Sequence, residues 1–175
     1  MNIQSFRALL ACAALGLSYM VPQMPGSADD GSILMPDIQL ADGSGLPFPL
    51  SRYRGAVLVL EFWSTNCGPC LRDLTFLDRL QGDMKGKPFL ALAVSEDDMT
   101  MAKIKATLAR QKLNFLRPFA DPGGNAAQTL NLRGLPTSFV IDRQGRVVMQ
   151  LEGVQQWDRA DYEKRILFLL AQSYP

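Results

Sequence analysis

The sequence contains no histidine in 175 residues, which removes the side chain most used for acid and base catalysis near neutral pH and the commonest transition-metal ligand. Its three cysteines, Cys12, Cys67 and Cys70, are too few for the multi-bridge framework of a small secreted scaffold. They also fall short of a closed zinc site, which takes four Cys or His ligands. Neither sign of charge dominates: 18 Lys and Arg against 17 Asp and Glu give a net charge of +1. No run of like charges makes a basic stripe or an acidic tail, so nucleic acid is not an expected partner. There is no internal repeat and no low-complexity segment, and the apolar run Ala8 to Val21 is too short to span a bilayer comfortably. The chemistry is left to Cys, Asp, Glu, Lys or Tyr, with no metal and no cofactor expected.

What is present has the balance of one ordinary globular domain, 47% hydrophobic and 20% charged. A domain near this size buries roughly 70% of the surface its unfolded chain exposes, so it needs no disulfide staples and a cysteine pair is free to be chemical. The amino end reads as an export signal: Arg7, the apolar core Ala8 to Val21, then the small, helix-breaking stretch Pro22 to Ala28. Gly26-Ser27-Ala28 predicts cleavage after Ala28. The expected organisation is residues 1–28 as signal peptide or N-terminal anchor, 29–35 as linker and 36–175 as the folded domain. A lipoprotein signal at Leu9-Leu10-Ala11-Cys12 competes, although little apolar sequence precedes Cys12. Each reading places the domain outside the cytoplasm, soluble after cleavage or anchored by its N-terminus. With Cys12 in the leader, Cys67 and Cys70 remain as a pair.

Met35 to Tyr53 has turn residues and short apolar patches, and reads as an irregular or hairpin lead-in. Ala56 to Trp63 is an apolar run interrupted only by Glu61, as a strand buried on both faces requires. Leu71, Leu74, Leu77 and Leu80 then recur at helical spacing, with Arg72, Asp73, Asp78 and Arg79 assigned to the polar side. Phe89 to Val94 predicts a second buried strand, completing a strand, helix, strand unit. Met99 to Gln111 follows as a helix, with Glu96-Asp97-Asp98 placed to suit its dipole. Leu113 to Ala120 is a strand candidate. Asp121-Pro122-Gly123-Gly124 is a turn, and Asn125 is expected to cap a short helix to Leu130. Ser138 to Asp142 and Val147 to Leu151 form a hairpin around Arg143-Gln144-Gly145-Arg146. Asp158 is expected to cap a last helix, Arg159 to Gln172, packed through Tyr162, Ile166, Leu169 and Leu170.

Cys67-Gly68-Pro69-Cys70 lies at the first strand-to-helix turn. A cysteine at the helix start meets unpaired backbone N–H groups and the positive dipole end, which favour a thiolate. Cys67 is therefore the expected nucleophile. Pro69 falls in the first turn, where its missing N–H costs nothing, and Cys70 becomes the resolving thiol. Cys70 must lose its proton, and Glu61 on the buried strand is assigned the role of base, its pKa raised by desolvation. A bystander carboxylate in a sheet-end contact or ion pair is the competing reading. A purely structural disulfide is disfavoured because so tight a loop constrains the unfolded chain little.

The run Glu61-Phe62-Trp63-Ser64-Thr65-Asn66-Cys67-Gly68-Pro69-Cys70 closely resembles the thioredoxin active site, including the acidic residue six before the first cysteine. Gly134-Leu135-Pro136-Thr137-Ser138-Phe139-Val140-Ile141-Asp142 resembles the loop and strand carrying that family's cis-proline. The lead-in Pro36-Asp37-Ile38 and the later Gly153-Val154-Gln155-Gln156-Trp157-Asp158 extend the likeness over residues 36–172, in the layout of TlpA/ResA-type disulfide reductases. The resemblance implies an α/β thioredoxin-like fold, a central mixed sheet flanked by helices with an N-terminal extension. It also implies a Cys67–Cys70 disulfide, a cis bond at Pro136, and a substrate face made by Trp63, Asn66, Leu135 and Pro136, where the Leu135 backbone pairs with an extended segment. It further implies protein disulfide substrates such as apocytochrome c or copper-centre assembly proteins, a DsbD- or CcdA-type membrane electron donor, and a bacterial periplasmic or cell-exterior location. Asn66 stands where the family usually has an aromatic residue, and Leu71 where thioredoxins often carry a base.

Three other readings remain open in the sequence. A peroxiredoxin-like peroxidase shares the fold, with Ser64 in place of the usual Thr three residues before its cysteine. A Cu(I)-binding assembly factor would use the pair as ligands, since thiolates select Cu(I). A disulfide oxidase differs only in redox poise, and Gly-Pro between the cysteines leans towards the reducing end.

Overall fold

The computed structural model describes residues 33–174, so the leader, its cleavage site and Cys12 lie outside the described residues. Eight strands, β1 (Ile33–Leu34), β2 (Gln39–Ala41), β3 (Pro47–Pro49), β4 (Val57–Trp63), β5 (Phe89–Ser95), β6 (Arg117–Ala120), β7 (Thr137–Ile141) and β8 (Arg146–Glu152), join in one mixed sheet in the order β1-β8-β7-β4-β5-β6-β2-β3. The helices are α1 (Gly68–Asp83), α2 (Met101–Arg110), α3 (Asn125–Thr129) and α4 (Ala160–Ala171). None of the described helices is long and apolar enough to cross a membrane.

β4 is central because all seven of its side chains are buried. It runs parallel to β5 and antiparallel to β7. Side chains alternate between the faces of a strand. Val57, Val59 and Trp63 accordingly pack with Leu74, Leu77 and Leu80 of α1, Ile104 and Leu108 of α2, and Ile166 and Leu169 of α4. Leu58, Leu60 and Phe62 join Met35, Ile38, Leu40, Leu50, Ala126 and Phe139 on the other face. The molecule is thus layered, with α1, α2 and α4 over one face and α3 with the lead-in over the other.

At one margin β2 and β3 form a hairpin. Asp42 N–H donates to Leu46 O at 2.9 Å and Leu50 N–H to Ile38 O at 3.0 Å, so by alternation the backbone groups of Pro47 and Pro49 face away from β2. At the other margin β1 pairs with β8 through Ile33↔Val147 and Leu34↔Arg146, and Met35 is buried. Residues 33–35 therefore belong to the folded domain, although the sequence reads them as linker.

Other expectations are corrected by where carboxylates go. Asp73 and Asp78, expected on the polar side of α1, are buried. Asp78 Oδ1 accepts from the Phe115 and Leu116 amides at 2.7 and 3.1 Å, which holds those residues out of the strand expected from Leu113 and confines β6 to Arg117–Ala120. The 96–98 acidic run is not the first turn of α2, which starts at Met101 after Thr100. Asn125 does not cap α3; Asp121 does, its two oxygens accepting from the Ala126 and Ala127 amides at 3.0 and 2.8 Å. Asp158 pairs with Arg79 at 2.7 Å instead of capping α4.

Candidate active site

β4 delivers the chain to the site, and three residues turn it into α1. Cys67 N–H donates to Ser64 O at 3.1 Å and Asn66 N–H to Ser64 Oγ at 3.3 Å. Asp97, in the loop after β5, accepts from Thr65 N–H at 2.8 Å and from Ser95 Oγ at 2.9 Å. The acidic run thus braces the cysteine turn, which is where its expected helix-dipole role went. Cys67 is the residue before α1 and its Sγ accepts from Cys70 N–H at 3.1 Å. The two cysteines form a disulfide. Cys67 is half-buried and Cys70 fully buried, so an incoming disulfide reaches Cys67 first.

The Leu135–Pro136 peptide bond is cis. The register Phe62↔Thr137 brings Pro136 to the end of β4 from which the cysteine turn departs. Pro136 O accepts from Gly153 N–H at 2.9 Å, while Leu135 stays exposed. Asn66 is exposed beside Cys67. Trp63 is not part of this face: its side chain is fully buried with Cys70, Leu74 and Trp157, because the position alternates inward from the end of β4. It floors the site and cannot touch a substrate.

Glu61 projects to the same face of β4 as Val59 and Trp63, and so towards the layer holding Cys70. Its side chain is fully buried; Oε2 accepts from Trp157 Nε1 at 3.2 Å and Oε1 has no partner. Burial pushes its pKa well above 4.5; the negative charge of Asp73 adds to this and the Trp157 hydrogen bond opposes it. Asp73 is a residue that the sequence reading missed. It is also fully buried, with Oδ1 accepting from the Gln155 and Gln156 amides at 3.0 and 3.2 Å and Oδ2 without a partner. Burial raises its pKa too, against the hydrogen bonds from the Gln155 and Gln156 amides. Its position was visible: Asp73 lies three residues after Cys70, on the helical face of Cys70, Leu74 and Leu77. One segment, Gln155–Trp157, therefore holds one oxygen of each carboxylate and leaves the other oxygen of each available. Tyr162 fixes that segment, its OH donating to Gln155 Oε1 at 2.7 Å and its ring lying 4.7 Å from that of Trp157.

A thioredoxin-like sheet carrying a Cys-Gly-Pro-Cys disulfide at a strand-to-helix turn, with a cis-proline at the same end of the sheet, defines a thiol-disulfide oxidoreductase. Comparison with known proteins agrees. Residues 30–166 match the Redoxin family, to which the chain belongs, as a TlpA/ResA-like member of the thioredoxin superfamily. It is 31% identical over 133 residues to the thiol-disulfide oxidoreductase ResA of Bacillus thuringiensis, covering 75% of each chain. With ResA of Geobacillus kaustophilus it shares 30% over 134 residues, 75% of this chain and 73% of the other. Among solved structures it resembles a thiol:disulfide interchange protein DsbE from Chlorobium tepidum, with a TM-score of 0.70 and 32% identity over 80% of this chain and 97% of that one.

Proposed function

We propose that the protein reduces protein disulfides outside the cytoplasm, Cys67 attacking and Cys70 resolving. The observation carrying this reading is the contrast within the pair: a half-exposed Cys67 at a helix start, and a buried Cys70 in a layer with two carboxylates that each keep an unpartnered oxygen. Cys67 thiolate attacks a sulfur of the substrate disulfide, and the substrate's other sulfur leaves as a thiolate. Glu61, with Asp73 modulating its charge, takes the proton of Cys70. The Cys70 thiolate then attacks Cys67 Sγ, the second substrate sulfur leaves, and the Cys67–Cys70 disulfide returns with the electron pair now on the substrate. The leader read in the sequence supports an extracytoplasmic site of action, where a DsbD- or CcdA-type membrane donor would re-reduce the pair. Apocytochrome c or copper-centre assembly proteins are the substrates we propose.

What stabilises the dithiol supports the reducing direction. A strong oxidant owes its potential to a stabilised reduced form. Here Cys67 has the helix terminus, but Leu71 brings no charge and the buried groups nearby are acidic. Arg72 reaches to within 3.9 Å of where a Gly68 side chain would begin, from an exposed position where solvent and salt screen it. Equilibration with glutathione buffers tests the direction: a potential near or below roughly −230 mV supports a reductase, and one near about −120 mV makes the protein a disulfide donor.

A further inference from the structure

Beside the cysteine turn runs a groove of about 730 Å³ whose walls include Thr65, Asn66, Leu71, Met99, Lys103 and Arg110. Thr65 and Asn66 immediately precede Cys67, and Leu71 lies one helical turn after it, its N–H donating to Cys67 O at 3.1 Å. Whatever occupies the groove therefore lies next to the sulfur being exchanged. The far wall is α2. Lys103, Thr107 and Arg110 stand four and three residues apart and so share one helix face. Arg110 Nη2 donates to Thr107 Oγ1 at 3.0 Å, which lays the guanidinium along that face and leaves its other N–H groups for a ligand.

The charge here is uncompensated. The ion pairs among the described residues are Arg79–Asp158, Arg133–Glu152 and Arg159–Asp161, and neither Lys103 nor Arg110 takes part. Of the carboxylates closest in sequence, Asp97 is engaged elsewhere. Asp97 accepts from Thr65 and Ser95, and with Glu96, Asp98 and Asp121 it lines a separate concavity that shares Met99. The groove thus offers two cations on one side, apolar Leu71 and Met99 along its length, and the Asn66 amide at its mouth.

We infer that this groove docks an acidic segment of the substrate polypeptide adjoining its disulfide, with Lys103 and Arg110 pairing Asp or Glu side chains. The inference rests on the proposed disulfide exchange and adds a substrate class to it. Leu71 is central to the logic. The positive charge that the thioredoxin resemblance leads one to expect just after the motif is missing, and α2 supplies charge from across the groove, where it selects a partner and leaves the thiolate of Cys67 little stabilised. The exposed Leu135 edge remains available for strand pairing on the other side of the cysteines, so a substrate would be gripped from both flanks.

The test uses the purified protein and two peptides built on one cysteine core, one flanked by Glu and Asp, the other by Lys. In disulfide form, the acidic peptide should be reduced by the pre-reduced dithiol protein, in a single turnover, with a second-order rate constant on the order of 10-fold above that of the basic one at low salt, the size expected of rim charge pairs that mainly steer encounter. Added salt should erase the difference. Lys103→Glu with Arg110→Glu should reverse the preference and leave the potential of the cysteine pair unchanged. Cysteine-free versions should show the same selectivity in binding, with NMR shift changes centred on α2. Charge-selective binding without any disulfide turnover would uphold the docking groove and sink the reductase reading. Equal reduction of both peptides, or indifference to the charge reversal, would overturn the docking groove while leaving the reductase in place.

Discussion

Glu61 and Asp73 each keep one carboxylate oxygen unpartnered in a buried layer, and substitutions at the two positions should separate chemistry from support. Glu61→Gln retains an acceptor for Trp157 but cannot take a proton, so release of the mixed disulfide should slow by roughly 10²-fold, the low end of what a positioned base contributes. Stopped-flow reduction of a chromogenic disulfide reads this directly; an unchanged rate would make Glu61 a bystander. The same variant should alter stability with a definite sign. A carboxyl whose folded pKa lies above 4.5 contributes stability that is complete below 4.5 and lost as pH rises through the folded value. Glu61→Gln removes that loss, so it should melt higher than the parent at pH 8 and show little advantage at pH 4. Asp73→Ala takes the acceptor from the part-buried Gln155 and Gln156 amides and should cost about 1 kcal/mol, whereas Asp73→Asn keeps Oδ1 and should cost less. Asp73 escaped sequence reading because a charged residue between leucines is ordinarily solvated. Its place on the helical face of Cys70, Leu74 and Leu77 was legible, but the amides more than 80 residues away that hold it there were not. Trp63 misled for the converse reason: belonging to a motif says nothing about which way a strand residue points.

The element that matters most is the turn from β4 into α1, and its brace is the loop after β5. Glu96 in that loop has its pKa raised to about 7, chiefly by burial and then by the charges of Asp121 and Asp97. The stability this group contributes is fully present below 4.5 and lost as pH climbs through about 7. Glu96→Gln should therefore flatten the fall in melting temperature between pH 5 and pH 8; a parallel shift at all pH values would argue against this account. Strands and helices with strong apolar pattern were legible in the sequence: β4, β5, α1 and the β7–β8 hairpin stand within a residue or two of expectation. Caps were not. Asp121 instead of Asn125 holds α3, and Asp158 is drawn off by Arg79, because several Asp residues near a helix start compete and tertiary contacts decide among them.

At the scale of the whole molecule, the central mixed sheet flanked by helices was implied by the likeness to thioredoxin, and the strand-to-helix turn that carries the cysteines by the apolar pattern on either side of it. The margins were not, since a two-residue strand such as β1 has no period to read. The margins carry a consequence of their own. An eight-stranded sheet in an open chain has two edges, and unpaired edge amides invite other chains to add on. At β3 the backbone groups facing outwards belong to Pro47 and Pro49, which possess no N–H at all. That rim offers a neighbouring polypeptide no donor to ladder onto, a safeguard suited to the proposed exchange with extended protein substrates. Replacing both prolines with threonine should leave thiol exchange intact and hasten fibrillar aggregation in a concentrated, agitated solution.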